Sequence, residues 1–153
     1  NGIKIGVINL IGRTDMPVLS ENPFTKIDEV IENLDKENVN IKILDFHAEA
    51  TAEKIAMGYY VDGRITAIFG THTHVQTADE KILEKGTGYI TDIGMTGPEK
   101  SVIGMDIDTS LKRFVTSLPE RYKLAEGKCI LNGVIFEIDV EKNRTIDIYR
   151  IDV

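Results

Sequence analysis

Apolar positions along this chain follow two periods, and the changes between them mark out its elements. Residues 3–10 are rich in Ile and Val and predict a strand. Residues 11–24 carry Gly12, Pro17 and Pro23 and predict a long loop. Thr25 reads as a helix N-cap, followed by Ile27, Val30, Ile31 and Leu34 at helical spacing with Glu29, Glu32 and Lys36 outside. A second strand is expected over 41–46, then a helix over 50–60 with Ala52, Ile55, Ala56 and Tyr59 on one face. Asp62, Gly63 and Arg64 turn the chain into a third strand over 65–69. Gly86 and Gly88 bracket a turn into a short strand, Tyr89-Ile90-Thr91, and a Gly-rich loop follows over 92–98. Residues 106–116 predict a helix with Leu111, Phe114 and Val115 inward. Residues 121–126, 129–139 and 144–153 alternate apolar and polar, as in Val134, Phe136, Ile138 and Val140, with turns at Gly127 and Glu141-Lys142-Asn143. Strand-helix-strand rhythm followed by an antiparallel meander predicts an α/β chain, α+β in part, forming a single domain over 1–153.

Composition adds limits. The 153 residues suffice for one core, and 42% hydrophobic with 28% charged is ordinary for a globular protein. A formal net charge of −7 argues against a nucleic-acid duplex as partner, though not against a small anion beside bound cations. No apolar run approaches the roughly 20 residues that cross a bilayer, so no membrane partner is expected. The one cysteine, Cys129, alternates with apolar neighbours and reads as a buried structural thiol. With no secretory pattern, it fits a cytoplasmic protein. The chain opens Asn1-Gly2-Ile3-Lys4 without Met, and the expectation is that this is not the natural start.

The chemistry gathers at strand ends. Of three histidines, His47 follows the second expected strand, and His72 and His74 follow the third. Parallel strands bring their C-terminal ends to one sheet edge, where α/β sites form. Three imidazoles there favour a metal over hydrogen-bonded core residues. Residues i and i+2 of an extended chain point the same way, so His72 and His74 reach one ion or two neighbouring ions; spacing leaves both open. Zn, Mn and Fe suit neutral imidazole. Asp45, Glu49 and Asp79 are candidates to orient the rings, and Glu49 capping the next helix and Asp79 solvating a turn are the plainer roles. Thr71, Thr73 and the loop residues Gly94, Met95, Thr96 and Gly97 are candidate phosphate contacts, or simply turn residues. Met95 and Met105 can line a slot for a base, with core filling the duller role. Arg64 can pair with phosphate, with a surface ion pair the duller role.

Three stretches closely resemble the YmdB-like branch of the calcineurin-like metallophosphoesterases. They are Asp45-Phe46-His47-Ala48-Glu49-Ala50-Thr51, the run from Gly70 to Asp79, and Thr91-Asp92-Ile93-Gly94-Met95-Thr96-Gly97. Gly-Thr-His-Thr-His is generic to that superfamily, while the other two motifs are more specific. The resemblance implies a two-sheet sandwich flanked by helices, with a dinuclear site of Mn, Fe or Zn at strand ends. It implies hydrolysis of small phosphodiesters such as 2',3'-cyclic nucleotides, with His47 and His72 on one metal and His74 on the other. Relatives carry an N-terminal half supplying an aspartate, a bridging carboxylate and an Asn-His pair that includes the leaving-group acid. None of those motifs occurs here. The expectation is therefore the C-terminal half of the fold, incomplete or inactive alone, that forms a homo-oligomer or associates with the missing half. Two alternatives stay open: a non-catalytic metal-binding or partner-binding domain with structural histidines, and a mononuclear zinc hydrolase with Glu49 as base.

Overall fold

Strands β1 (Ile5–Ile11), β2 (Ile41–His47) and β3 (Ala67–Thr71) lie side by side, all parallel. β5 (Gly88–Ile90) continues the parallel set beside β3, and a two-residue strand, β4 (Lys81–Ile82), pairs antiparallel at the edge. This five-stranded sheet has the order β1-β2-β3-β5-β4. A second, antiparallel sheet is built from β6 (Thr96–Pro98), β7 (Cys129–Asp139) and β8 (Arg144–Asp152). Three helices complete the chain: α1 (Pro23–Lys36), α2 (Thr51–Val61) and α3 (Ile107–Thr116). These facts come from a computed structural model that describes residues 2–153.

The period-2 pattern of the parallel strands sorts the two faces of the large sheet. Ile8, Leu44, Phe46, Ile68 and Tyr89 form one buried cluster with Ile27 and Ile31 of α1 and Met57 and Val61 of α2. Their sequence neighbours face the other way. There Gly88 lies against the small sheet, where a Cβ would meet Phe136 at 2.7 Å and Thr145 at 2.7 Å. The Thr145 hydroxyl donates to the Thr66 carbonyl at 2.7 Å, tying β8 to the start of β3. The result is the expected two-sheet α/β arrangement with helices outside.

Local differences from the sequence reading have identifiable causes. α1 begins earlier than expected: Asn22 is the N-cap, accepting from the Phe24 N–H at 3.0 Å, and Pro23 opens the helix. Thr25 instead donates to the Asn22 carbonyl. α2 buries Lys54, Met57, Gly58 and Val61, not the face carrying Ala52, Ile55, Ala56 and Tyr59. The Tyr89 ring packs on Gly58, where a Cβ would lie 2.6 Å from it, and Lys54 has a buried partner, so the helix turns that side inward.

α3 forms where expected, capped by Asp106, but Leu111, Phe114 and Val115 are exposed, Val115 at 82%. Nothing in residues 2–153 covers that face. Residues 121–126 form no strand; Leu124 makes a single bridge to Met105, and β6 takes the third place in the small sheet. Cys129 is exposed rather than buried, because Ile130 takes the inward position at the start of β7. Arg64 forms the surface ion pair, 2.6 Å from Asp28, whose other oxygen accepts the Tyr60 hydroxyl. No helix among the described residues is long and apolar enough to cross a membrane.

Candidate metal centre

His47 ends β2 and is in register with Thr71, which ends β3, while Asn9 of β1 is in register with Asp45. All four side chains stand on the face of the large sheet away from the helices, at its C-terminal edge. The Thr71 hydroxyl donates to Asp45 Oδ1 at 2.8 Å, and Asn9 donates to Asp45 Oδ2 at 2.9 Å. His47 Nδ1 lies 3.0 Å from the same Thr71 oxygen.

These contacts place one proton on each ring. A threonine hydroxyl has one proton, and here it goes to a carboxylate, so His47 Nδ1 must be the donor to Thr71. If the ring is neutral, His47 Nε2 is then its acceptor. His72 Nε2 lies 3.0 Å from Glu49 Oε2, an acceptor, so Nε2 carries a proton, and in a neutral ring Nδ1 is the acceptor. His72 Nδ1 and His47 Nε2 face each other at 3.0 Å, with the rings edge-on at 87°. In neutral rings these two facing nitrogens would both be acceptors, and a shared proton or a bound cation would reconcile them. His47 and His72 are the residues that would hold a transition metal here, with Thr71 and Glu49 keeping the outer hydrogen bonds.

The loop after β3 is strained at both histidines. His72 has φ 108° and His74 φ 64°, a region L residues enter at a cost. Asp92 holds the residue between them. Its Oδ2 accepts the Thr73 N–H at 3.0 Å and the Lys54 ammonium at 2.8 Å, and its Oδ1 accepts the Gly94 N–H at 3.0 Å. Asp92 is 0% and Lys54 1% exposed. Behind the loop, Gly70 allows β3 to approach the end of β5, since a Cβ there would sit 1.8 Å from the Thr91 carbonyl oxygen.

The structure thus brings together His47, His72, Asp45, Glu49 and Thr71. His74 is exposed and stands outside this pair, with Nδ1 3.5 Å from the Ile103 carbonyl. Among the described residues, no group of three or more His, Cys, Asp or Glu side chains is arranged to hold an ion. Asp79 touches none of the three imidazoles; it accepts from the Thr77 hydroxyl, the Thr91 hydroxyl and the Thr91 N–H. The donors of Thr71 and Gly94 are committed within the protein, as is the Thr73 N–H. Met95, Thr96 and Gly97 lead into the small sheet, where the Asn132 N–H donates to the Met95 carbonyl. Sequence reasoning passed over Asn9, Lys54 and the carboxylate of Asp92. Only Lys54 left a trace, as a lysine on the otherwise apolar stripe shared with Met57, Gly58 and Val61.

The YmdB-like protein family model matches residues 1–151. The 2',3'-cyclic-nucleotide 2'-phosphodiesterase of Bacillus subtilis (strain 168) is 54% identical over 151 residues, covering 99% of this chain and 56% of the relative. A putative phosphatase/phosphodiesterase of Mycoplasma pneumoniae is 43% identical over 148 residues, covering 95% of this chain and 52% of the relative. A crystal structure of a novel phosphatase from Mycoplasma pneumoniae superposes with a TM-score of 0.87 at 41% identity, covering 96% of this chain and 53% of that one. A hypothetical protein from Thermus thermophilus also gives 0.87, at 38% identity, covering 96% of this chain and 56% of that one. The chain spans about half the length of the curated relatives it matches. On its sequence and its fold together, the chain belongs to the YmdB-like protein family.

Proposed function

We propose that this chain carries part of the metal site of a phosphodiesterase that hydrolyses small phosphodiesters such as 2',3'-cyclic nucleotides. The observation that carries the proposal is the pair of inward imidazole nitrogens, His47 Nε2 and His72 Nδ1, facing each other at 3.0 Å at the strand ends. The substrate class rests on the name of the Bacillus subtilis relative. His47 and His72 would hold one ion, and His74, two residues further along the strained loop, would serve a second.

The chain's own residues do the positioning. Asp45, through Thr71, keeps the His47 proton on Nδ1 and its lone pair on Nε2. Glu49 orients His72 and withdraws the proton from the inward nitrogen. Asp92, anchored by Lys54, holds the backbone that sets His72 and His74 at their unusual dihedrals. Two divalent transition metals such as Mn, Fe or Zn, when bound, would neutralise phosphate charge and make water nucleophilic at neutral pH. The proposal assigns no leaving-group acid among residues 1–153. It includes association with further chain or with a second copy, because apolar side chains on β1 and α3 stand exposed.

The test is hydrolysis of 2',3'-cyclic AMP by the full-length protein with Mn, beside its His47→Ala, His72→Ala and His74→Ala variants. Each substitution is expected to lower kcat/KM by at least about 100-fold, and metal content by elemental analysis is expected to fall in all three. A wild-type protein that binds Mn and leaves the phosphodiester intact would refute the proposal and favour a structural metal domain.

A further inference from the structure

We propose that Arg13 is the group that binds the substrate's phosphate at this site. The inference rests on the phosphodiesterase reading and adds a residue to which neither motif nor relative assigns a role. The turn after β1 is built against the metal centre. The Gly12 N–H donates to the His47 carbonyl at 2.9 Å, so the turn is fastened to the ligand-bearing strand end. Gly12 is required there: a Cβ would meet Ala48 Cβ at 2.5 Å and Glu53 Oε2 at 2.6 Å. Glu53, on the first turn of α2, then clamps the next two residues. It accepts the Arg13 N–H at 2.9 Å (Oε1) and 3.2 Å (Oε2), and the Thr14 N–H at 3.2 Å.

Glu53 is bonded to this turn, yet its oxygens accept backbone amides and make no ion pair with the guanidinium. Among the described residues no carboxylate lies within ion-pair distance of Arg13, and the residue is exposed. Four segments form this edge of the sheet, residues 11–14, 47–51, 71–75 and 91–96. Arg13 is the only Lys or Arg in any of them. The same segments carry Glu49 and Asp92, with Asp45 and Glu53 flanking them and the flanking Lys54 buried against Asp92, on a chain of net charge −7. A phosphate anion approaching it meets repulsion from protein side chains, which metal charge offsets and Arg13 alone among the edge residues opposes. A planar guanidinium on a clamped turn suits two phosphate oxygens at once, and its freedom from any carboxylate leaves that fork open. An internally bonded turn, fastened to the His47 carbonyl and carrying a cation with no carboxylate partner, has no ion pair to explain that cation.

Full-length protein loaded with Mn, as wild type, Arg13→Ala and Arg13→Lys, tests this with 2',3'-cyclic AMP as substrate and inorganic phosphate as a calorimetric ligand. In Arg13→Ala, KM is expected to rise about 10- to 100-fold and phosphate affinity to fall in parallel, as for loss of a charge-assisted contact. kcat is expected to stay within about threefold, with metal content and melting temperature unchanged; Arg13→Lys recovers part of the affinity. KM and phosphate affinity within about twofold of wild type in Arg13→Ala overturn the proposal, whatever happens to kcat. If wild type fails to hydrolyse, the phosphodiesterase reading fails on its own. Phosphate calorimetry still decides Arg13 in that case: binding lost in Arg13→Ala supports it, and binding unchanged or absent from wild type overturns it.

Discussion

At His47 and His72 the deciding quantity is where four ring nitrogens keep their protons. Thr71 has one proton to give and gives it to Asp45, and this makes Nδ1 a proton-bearing nitrogen of His47. Replacing Thr71 by Val keeps the volume and removes the acceptor for His47 Nδ1. Mn or Zn affinity of the full-length protein, measured by calorimetry, is expected to fall about 10- to 100-fold with little change in melting temperature. Asp92 acts on a different energy. Its charge is buried with Lys54, and removing one partner leaves the other uncompensated. Asp92→Ala is expected to cost about 3–5 kcal/mol in chemical denaturation. The double variant Lys54→Met/Asp92→Asn is expected to recover much of that loss, since methionine suits the apolar stripe of α2 and no lone charge remains.

At the scale of elements, the centre depends on three strand ends and two loops fastened together behind them. β5 is tied to the preceding loop by Asp79. Burial pushes the Asp79 carboxyl up, but the Thr77 and Thr91 hydroxyls and the Thr91 N–H together outweigh it, with Lys81 adding, and hold it below the ordinary carboxylate range. A carboxyl depressed on folding stabilises above its unfolded value of about 3.9 and loses that contribution as pH falls through the folded value. Wild type is therefore expected to exceed Asp79→Asn in stability at pH 7, and the gap is expected to shrink as pH falls below about 4 in a denaturation series. Equal gaps at pH 7 and pH 3 would place the Asp79 contribution in packing instead.

Across the whole molecule, the second sheet covers the β5 end of the large sheet and leaves the β1 end bare. Val7 is 76% exposed and Ile5 57%, on the same face that carries His47 and Asp45, and β1 has an unpaired edge. Phe114 and Val115 of α3 are exposed as well. The 153-residue chain expressed alone is expected to associate at high concentration, seen as a concentration-dependent mass in light scattering. Val7→Lys with Ile5→Thr is expected to shift that equilibrium toward monomer, and a monomer at every concentration in the unsubstituted chain would count against it.

Much of this was legible before any coordinates. Short apolar runs over 41–46 and 65–69, separated by a helical stretch, point to parallel strands, because a crossover helix returns the chain in the same direction. Parallel strands place His47, His72 and His74 at one edge. Sequence alone left open which ring nitrogens face inward, because that follows from the register pairing His47 with Thr71 and Asn9 with Asp45. It misplaced the inward side of α2, since Lys54 looks solvated until Asp92, 38 residues away, arrives beneath it. It also assigned an inward face to α3, whose apolar stripe has no cover among these residues. Short-range periodicity encodes direction and element type; which polar groups satisfy one another is set by contacts between distant segments, and only the folded chain decides them.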